Sequence, residues 1–93
     1  MRRLFTVSDR FTVRGRGIVL LPGLKPVGEE RFNVGDKVCL RRPAAEDLIV
    51  PIAGLELPHP NPENEVLILI GELSKDDVPA GTEVWSLDES HRF

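Results

Sequence analysis

The sequence predicts an all-β domain, a small closed antiparallel β-barrel of about six to seven strands. Three observations predict it. First, Phe11 and Val13 alternate with polar residues before Gly15-Arg16-Gly17 interrupts and the apolar run Ile18-Val19-Leu20-Leu21 follows. Alternation is the period of a half-buried strand, and glycine inside it marks a bulge, a sharp bend or a close backbone approach. Second, a strand that bends sharply is what a small closed barrel needs at its corners. Third, short apolar segments recur at regular spacing between glycine and proline turns, and none has a helical period longer than one turn.

The elements follow in order. Leu4 to Val7 reads as a short strand, and Ser8-Asp9-Arg10 as a turn or bulge before alternation restarts at Phe11. Arg16 to Leu21 is a strand too apolar to be half-exposed throughout, and the turn dipeptide Pro22-Gly23 is expected to end it. Lys25 to Arg31 is a loop. Gly35-Asp36 is a turn signal that feeds a strand over Lys37 to Arg41. Asp47 to Leu57 predicts one longer strand, placed at an edge or bent at Pro51, which lacks a backbone donor. Three prolines in Pro58-His59-Pro60-Asn61-Pro62 specify a stiff extended loop. Glu65 to Ile70 is a buried strand. Ser74 with Asp77 three residues later predicts one capped helical turn. Thr82 to Leu87 is the last strand, with Trp85 expected at one barrel end.

The 93 residues make one domain, 1–93, with its core over about 4–87 and a loose tail over 88–93. The net charge of −3 argues against DNA and other strongly phosphate-driven partners. Charge is nevertheless uneven: Arg2, Arg3, Arg10, Arg14 and Arg16 crowd the first sixteen residues against Asp9 alone. No apolar run approaches membrane-spanning length, so no membrane partner is expected. Cys39 stands alone between Val38 and Leu40 and reads as a small apolar strand residue, consistent with a reducing cytoplasm.

Catalytic chemistry finds no purchase in the sequence. Gly15-Arg16-Gly17 is not followed by a helix and makes no dinucleotide fingerprint. His59 and His91 have no ligands at metal spacing, and the serines lack an elbow sequence and a base. No enzyme activity, metal or cofactor is expected. Aromatic residues are too few for a stacking platform of the kind that grips single-stranded nucleic acid.

Taken in order, several segments resemble the second domain of elongation factor Tu and related translational GTPases. They are Phe5-x-Val7-x-Asp9-x-Phe11-x-Val13-x-Gly15-Arg16-Gly17-x-Val19, then Val34-Gly35-Asp36-Lys37-Val38, then Gly54-Leu55-Glu56, then Glu63-Asn64 with Gly71, then Asp77-Val78 through Gly81 to Val84. The resemblance spans about residues 4 to 87. It implies a small antiparallel barrel that, in the full-length factors, helps hold the aminoacyl end of transfer RNA against a GTPase domain. It carries over Asp9, Phe11, Glu56 and Asn64 as binding positions. Ile18 replaces the family's threonine after Gly-Arg-Gly, Leu21-Pro22-Gly23 replaces Val-Thr-Gly, and Ile70 replaces an arginine. Polar contact positions have become aliphatic, so the scaffold is expected to persist with altered contacts.

The favoured expectation is a non-enzymatic module, without a GTPase domain, that binds a protein partner. The alternative is a translation-associated module that contacts a transfer RNA end or ribosomal RNA, with Arg10, Arg14 and Arg16 as anion contacts. A third candidate is a small-ligand mouth near Asp9, Glu56 and Asn64.

Overall fold

The computed structural model describes residues 1–87. The tail expected over 88–93 lies outside the described residues. The chain forms β1 (Arg3–Thr6), β2 (Asp9–Val13), β3 (Gly17–Leu24), β4 (Lys37–Arg41), β5 (Leu48–Pro51), β6 (Gly54–Glu56), β7 (Val66–Ile70) and β8 (Glu83–Ser86). One 3-10 turn, Lys75–Asp77, precedes β8. All strand pairings are antiparallel and build two four-stranded sheets. The first has the order β1-β8-β4-β5 and the second β2-β3-β7-β6. The ladders thus define two sheets where a single closed barrel was expected.

Four connections pass from one sheet to the other, and two of them, β1 to β2 and β5 to β6, switch between consecutive residues. Val7 N–H donates to Thr82 C=O of the first sheet's flank at 2.7 Å, while Ser8 N–H donates to Leu21 C=O in the second sheet at 2.9 Å. Likewise Ile52 N–H donates to Asp36 C=O at 2.8 Å, while Ala53 N–H donates to Leu69 C=O at 2.7 Å. The single strand expected over Asp47 to Leu57 is therefore two strands. Its bend falls at Ile52–Ala53, one residue past Pro51, because each half has a different partner.

The core follows strand parity. Ile18 and Leu20 on β3, Ile68 and Ile70 on β7, Val38 and Leu40 on β4 and Val84 on β8 all point inward. Phe5, Val7, Leu24, Ile52 and Val78 complete the cluster. Full burial of each such aliphatic side chain contributes about 2 kcal/mol.

β3 does not stop at Pro22-Gly23. It continues to Leu24, which pairs with Val66, and the register shift between Leu20 and Leu24 takes up Pro22, which has no N–H to donate. At the other end Gly17 is obligatory. Its φ is +137°, and a Cβ there would overlap the Ile70 carbonyl oxygen.

The 3-10 turn is capped as expected. The amide and hydroxyl of Ser74 both donate to the Asp77 carboxylate, at 2.9 and 3.2 Å. Trp85 lies on the outer face of the first sheet, in a row that runs Arg3-Trp85-Cys39-Ile49 across all four strands. The Arg41 guanidinium sits 4.5 Å from its ring centroid. Cys39 is buried beside it, and burial pushes its thiol pKa up, with Asp47 adding to the effect.

Candidate functional site

The second sheet has an apolar outer face. Residues directly opposite on paired strands share a face. Register therefore places Phe11, Val19, Leu69 and Gly54 in one outward row across β2, β3, β7 and β6. Val13 lies on the hairpin side of this row, and Leu21 and Leu67 lie on the other. Their neighbours Ile18, Leu20, Ile68 and Ile70 already fill the core. Phe11 is 54% exposed, Val13, Val19, Leu21 and Leu67 are each half-buried, and Leu69 (3% exposed) and Gly54 are buried in the row beside Arg16. A sheet whose two faces are both apolar presents one of them to something other than its own core.

Charges frame this face. Asp9, opposite Leu21, and Glu56, opposite Leu67, stand at one end. Arg14 and Arg16 stand at the other, on the hairpin between β2 and β3. Arg16 N–H closes that hairpin on Val13 C=O at 2.9 Å. Its guanidinium extends to Gly54, where a Cβ would lie 3.4 Å from Nη2 and 3.2 Å from the Leu69 side chain. Glycine at position 54 thus leaves room for Arg16 at the edge of the row. Among the described residues Arg14, Arg16 and Glu56 make no ion pair.

The structure therefore brings Asp9, Phe11, Glu56, Arg14 and Arg16 to one surface and leaves two expected residues off it. Arg10 pairs with the buried Leu20, so it faces inward at the end of the sheet. It is 19% exposed, donates to Lys75 C=O at 3.2 Å and lies 4.0 Å from Asp9. Arg10 fastens the 3-10 turn, and Arg42 holds the same turn from the other sheet through Asp77 C=O at 3.3 Å. Asn64 is an exposed turn residue with φ +55°, bonded to Asn61 C=O at 3.3 Å. That conformation suits asparagine and accounts for the residue without a ligand.

Val19, Leu67 and Leu69 were not singled out from the sequence as site residues; of the aliphatic replacements Ile18, Leu21 and Ile70, only Leu21 reaches this face, because Ile18 and Ile70 are in the core. Their signal is present all the same: β3 and β7 are continuous apolar runs, so their outward positions are apolar too.

Elsewhere the polar loop between β3 and β4 forms an open depression lined by Gly28, Glu29, Glu30 and Arg31. Arg2 clamps Glu30 through both carboxylate oxygens. Partial burial alone would raise the Glu30 pKa; the Arg2 hydrogen bond, the Val27 N–H and the Arg2 charge outweigh it and hold the carboxyl below its ordinary value. Lys25 is raised by its hydrogen bond and charge pairing with Glu63, which is lowered by the same contact. Among the described residues no three His, Cys, Asp or Glu side chains gather as metal ligands, and no helix is long and apolar enough to cross a membrane.

Comparison with known proteins adds no relative: no family model, curated protein or solved structure matches this chain.

Proposed function

We propose that this chain is a non-enzymatic interaction module that holds a protein partner on the outer face of the β2-β3-β7-β6 sheet. The observation that carries the reading is the outward apolar set Phe11, Val13, Val19, Leu21 and Leu67 around the buried Leu69, on strands whose inner faces already fill the core. Interface centres are apolar and poor in charge, with charges at the rim, and this face has that layout. The scaffold proposed for the module is a small antiparallel β-barrel resembling the second domain of elongation factor Tu, built by the two four-stranded sheets together. The two bent segments at Val7–Ser8 and Ile52–Ala53 serve as its corners and link the second sheet back to the first. The lone Cys39 fits a cytoplasmic setting.

The test is affinity capture from native lysate with the wild-type chain and with Val19→Lys, which puts a charge at the centre of the row. A protein held by the wild type and lost by the variant supports the module. Capture that ignores the substitution overturns it.

A second reading is RNA binding, favoured by Arg14 and Arg16, which have no acidic partner among the described residues. It predicts an affinity for single-stranded RNA that falls steeply as salt rises. Absence of binding at low salt removes it.

A further inference from the structure

We infer that the protein partner brings a side-chain carboxylate, an Asp or Glu set among apolar residues, to the Arg16 guanidinium on the outer face of the second sheet. This rests on the interaction-module reading and adds the group that the partner carries.

The seat of Arg16 is the first argument. Gly54 is not among the residues with positive φ, so its backbone does not call for glycine. What glycine supplies there is room. A Cβ would stand 3.2 Å from the Leu69 side chain and 3.4 Å from Arg16 Nη2. The guanidinium therefore rests on the sheet, beside Leu69 and over β6, rather than reaching out from the hairpin. Leu69 is already covered at this spot. A partner on this face thus meets Phe11, Val13, Val19, Leu21 and Leu67 with a cation lying next to them.

The second argument is the missing counter-charge. Among the described residues Arg16 is in no ion pair. Glu56 shares its strand and face with Gly54, but two residues of strand separate them by about 7 Å, and it does not pair with Arg16 either. A partner that covers the apolar set takes water from this guanidinium. A cation desolvated without an acceptor is costly, whereas a carboxylate accepts two parallel N–H bonds from the guanidinium fork. The face therefore selects an apolar surface that carries one acid opposite Gly54. A polyanion fits less well, since the chain has a net charge of −3 and Asp9 and Glu56 lie on the same face.

Two capped peptides, acetyl-Leu-Glu-Leu-amide and acetyl-Leu-Gln-Leu-amide, test this because they differ only in the charge. Binding is followed by shifts of the Gly54 and Val19 amide signals and of the Arg16 Nε–H signal. The Glu peptide is expected to bind about fivefold more tightly, the ratio one good exposed ion pair supplies. The preference should vanish in Arg16→Gln. It should persist in Arg3→Gln, which removes the same charge from the other sheet. Equal affinity for the two peptides, no shift with either, or a preference that survives Arg16→Gln or is lost in Arg3→Gln overturns the inference. Tighter binding of acetyl-Leu-Gln-Leu with a free carboxyl end assigns the anion to a chain terminus and overturns the side-chain carboxylate. Inorganic phosphate that moves these signals at lower concentration than the Glu peptide overturns it in favour of the RNA reading. If Val19→Lys abolishes protein capture while the two peptides bind alike, the face still docks a protein and only the carboxylate is lost. If capture ignores Val19→Lys, the module reading falls and this inference with it.

Discussion

Gly17 and Gly54 show how one missing Cβ can serve the backbone or the surface. At Gly17 the positive φ and the Ile70 carbonyl leave no room for a side chain. Gly17→Ala should therefore destabilise the chain by about 2–4 kcal/mol, read from urea unfolding. Glu30 offers a titration test. Its folded pKa lies below the ordinary 4.5, so its stabilisation is present above that value and is lost as pH falls through the folded one. Glu30→Gln should then lower the unfolding free energy at pH 7 by less than about 1 kcal/mol for a pair this exposed, and the two proteins' stabilities should converge near pH 3. At this scale much of the face was legible. Asp9, Phe11 and Glu56, which the resemblance carried over, lie on it by their strand register. Arg10 lies off the face for the same reason in reverse: if Phe11 points out, its neighbour points in, and its guanidinium donates to Lys75 C=O.

Individual strands were legible wherever a glycine or proline coincided with a change of hydrogen-bond partner. β4 matches its expected bounds from Lys37 to Arg41, and β7 and β8 differ by a residue at their ends. The exceptions have a common physical cause. Pro22-Gly23 has turn chemistry but sits inside β3, because a register shift absorbs it while Leu24 still pairs with Val66. Asp47 to Leu57 has strand composition throughout, yet it divides because Ile52 and Ala53 are claimed by different neighbours. Local composition cannot reveal a partner that lies sixteen residues away, as Leu69 does from Ala53. Ala53→Pro removes the N–H bonded to Leu69 and should cost about 3 kcal/mol, measured by chemical unfolding. Its first effect should be on amide exchange in β6.

For the molecule as a whole, the proposed barrel makes a cooperative prediction. If the corners weld both sheets into one structure, the slowest amides of β4 and of β7 should exchange with the same opening free energy and the same denaturant dependence. Separate values for the two would mean sheets that open independently, and the barrel would fall. The all-β class came from alternation and turn spacing, whereas the division into two ladders depends on contacts between segments far apart in sequence. The site was legible only in outline, since its charged rim is visible residue by residue but its apolar centre emerges once β3 and β7 are laid side by side.

The handover between neighbouring peptide groups at Val7 and Ser8 locks the two ladders in phase. A single inserted residue there would swap odd for even along all of β2, turning Phe11 into the interior and Arg10 out to water. Two inserted residues would restore the phase and leave only a slack corner. Evolution can therefore lengthen this junction in steps of two far more readily than in steps of one.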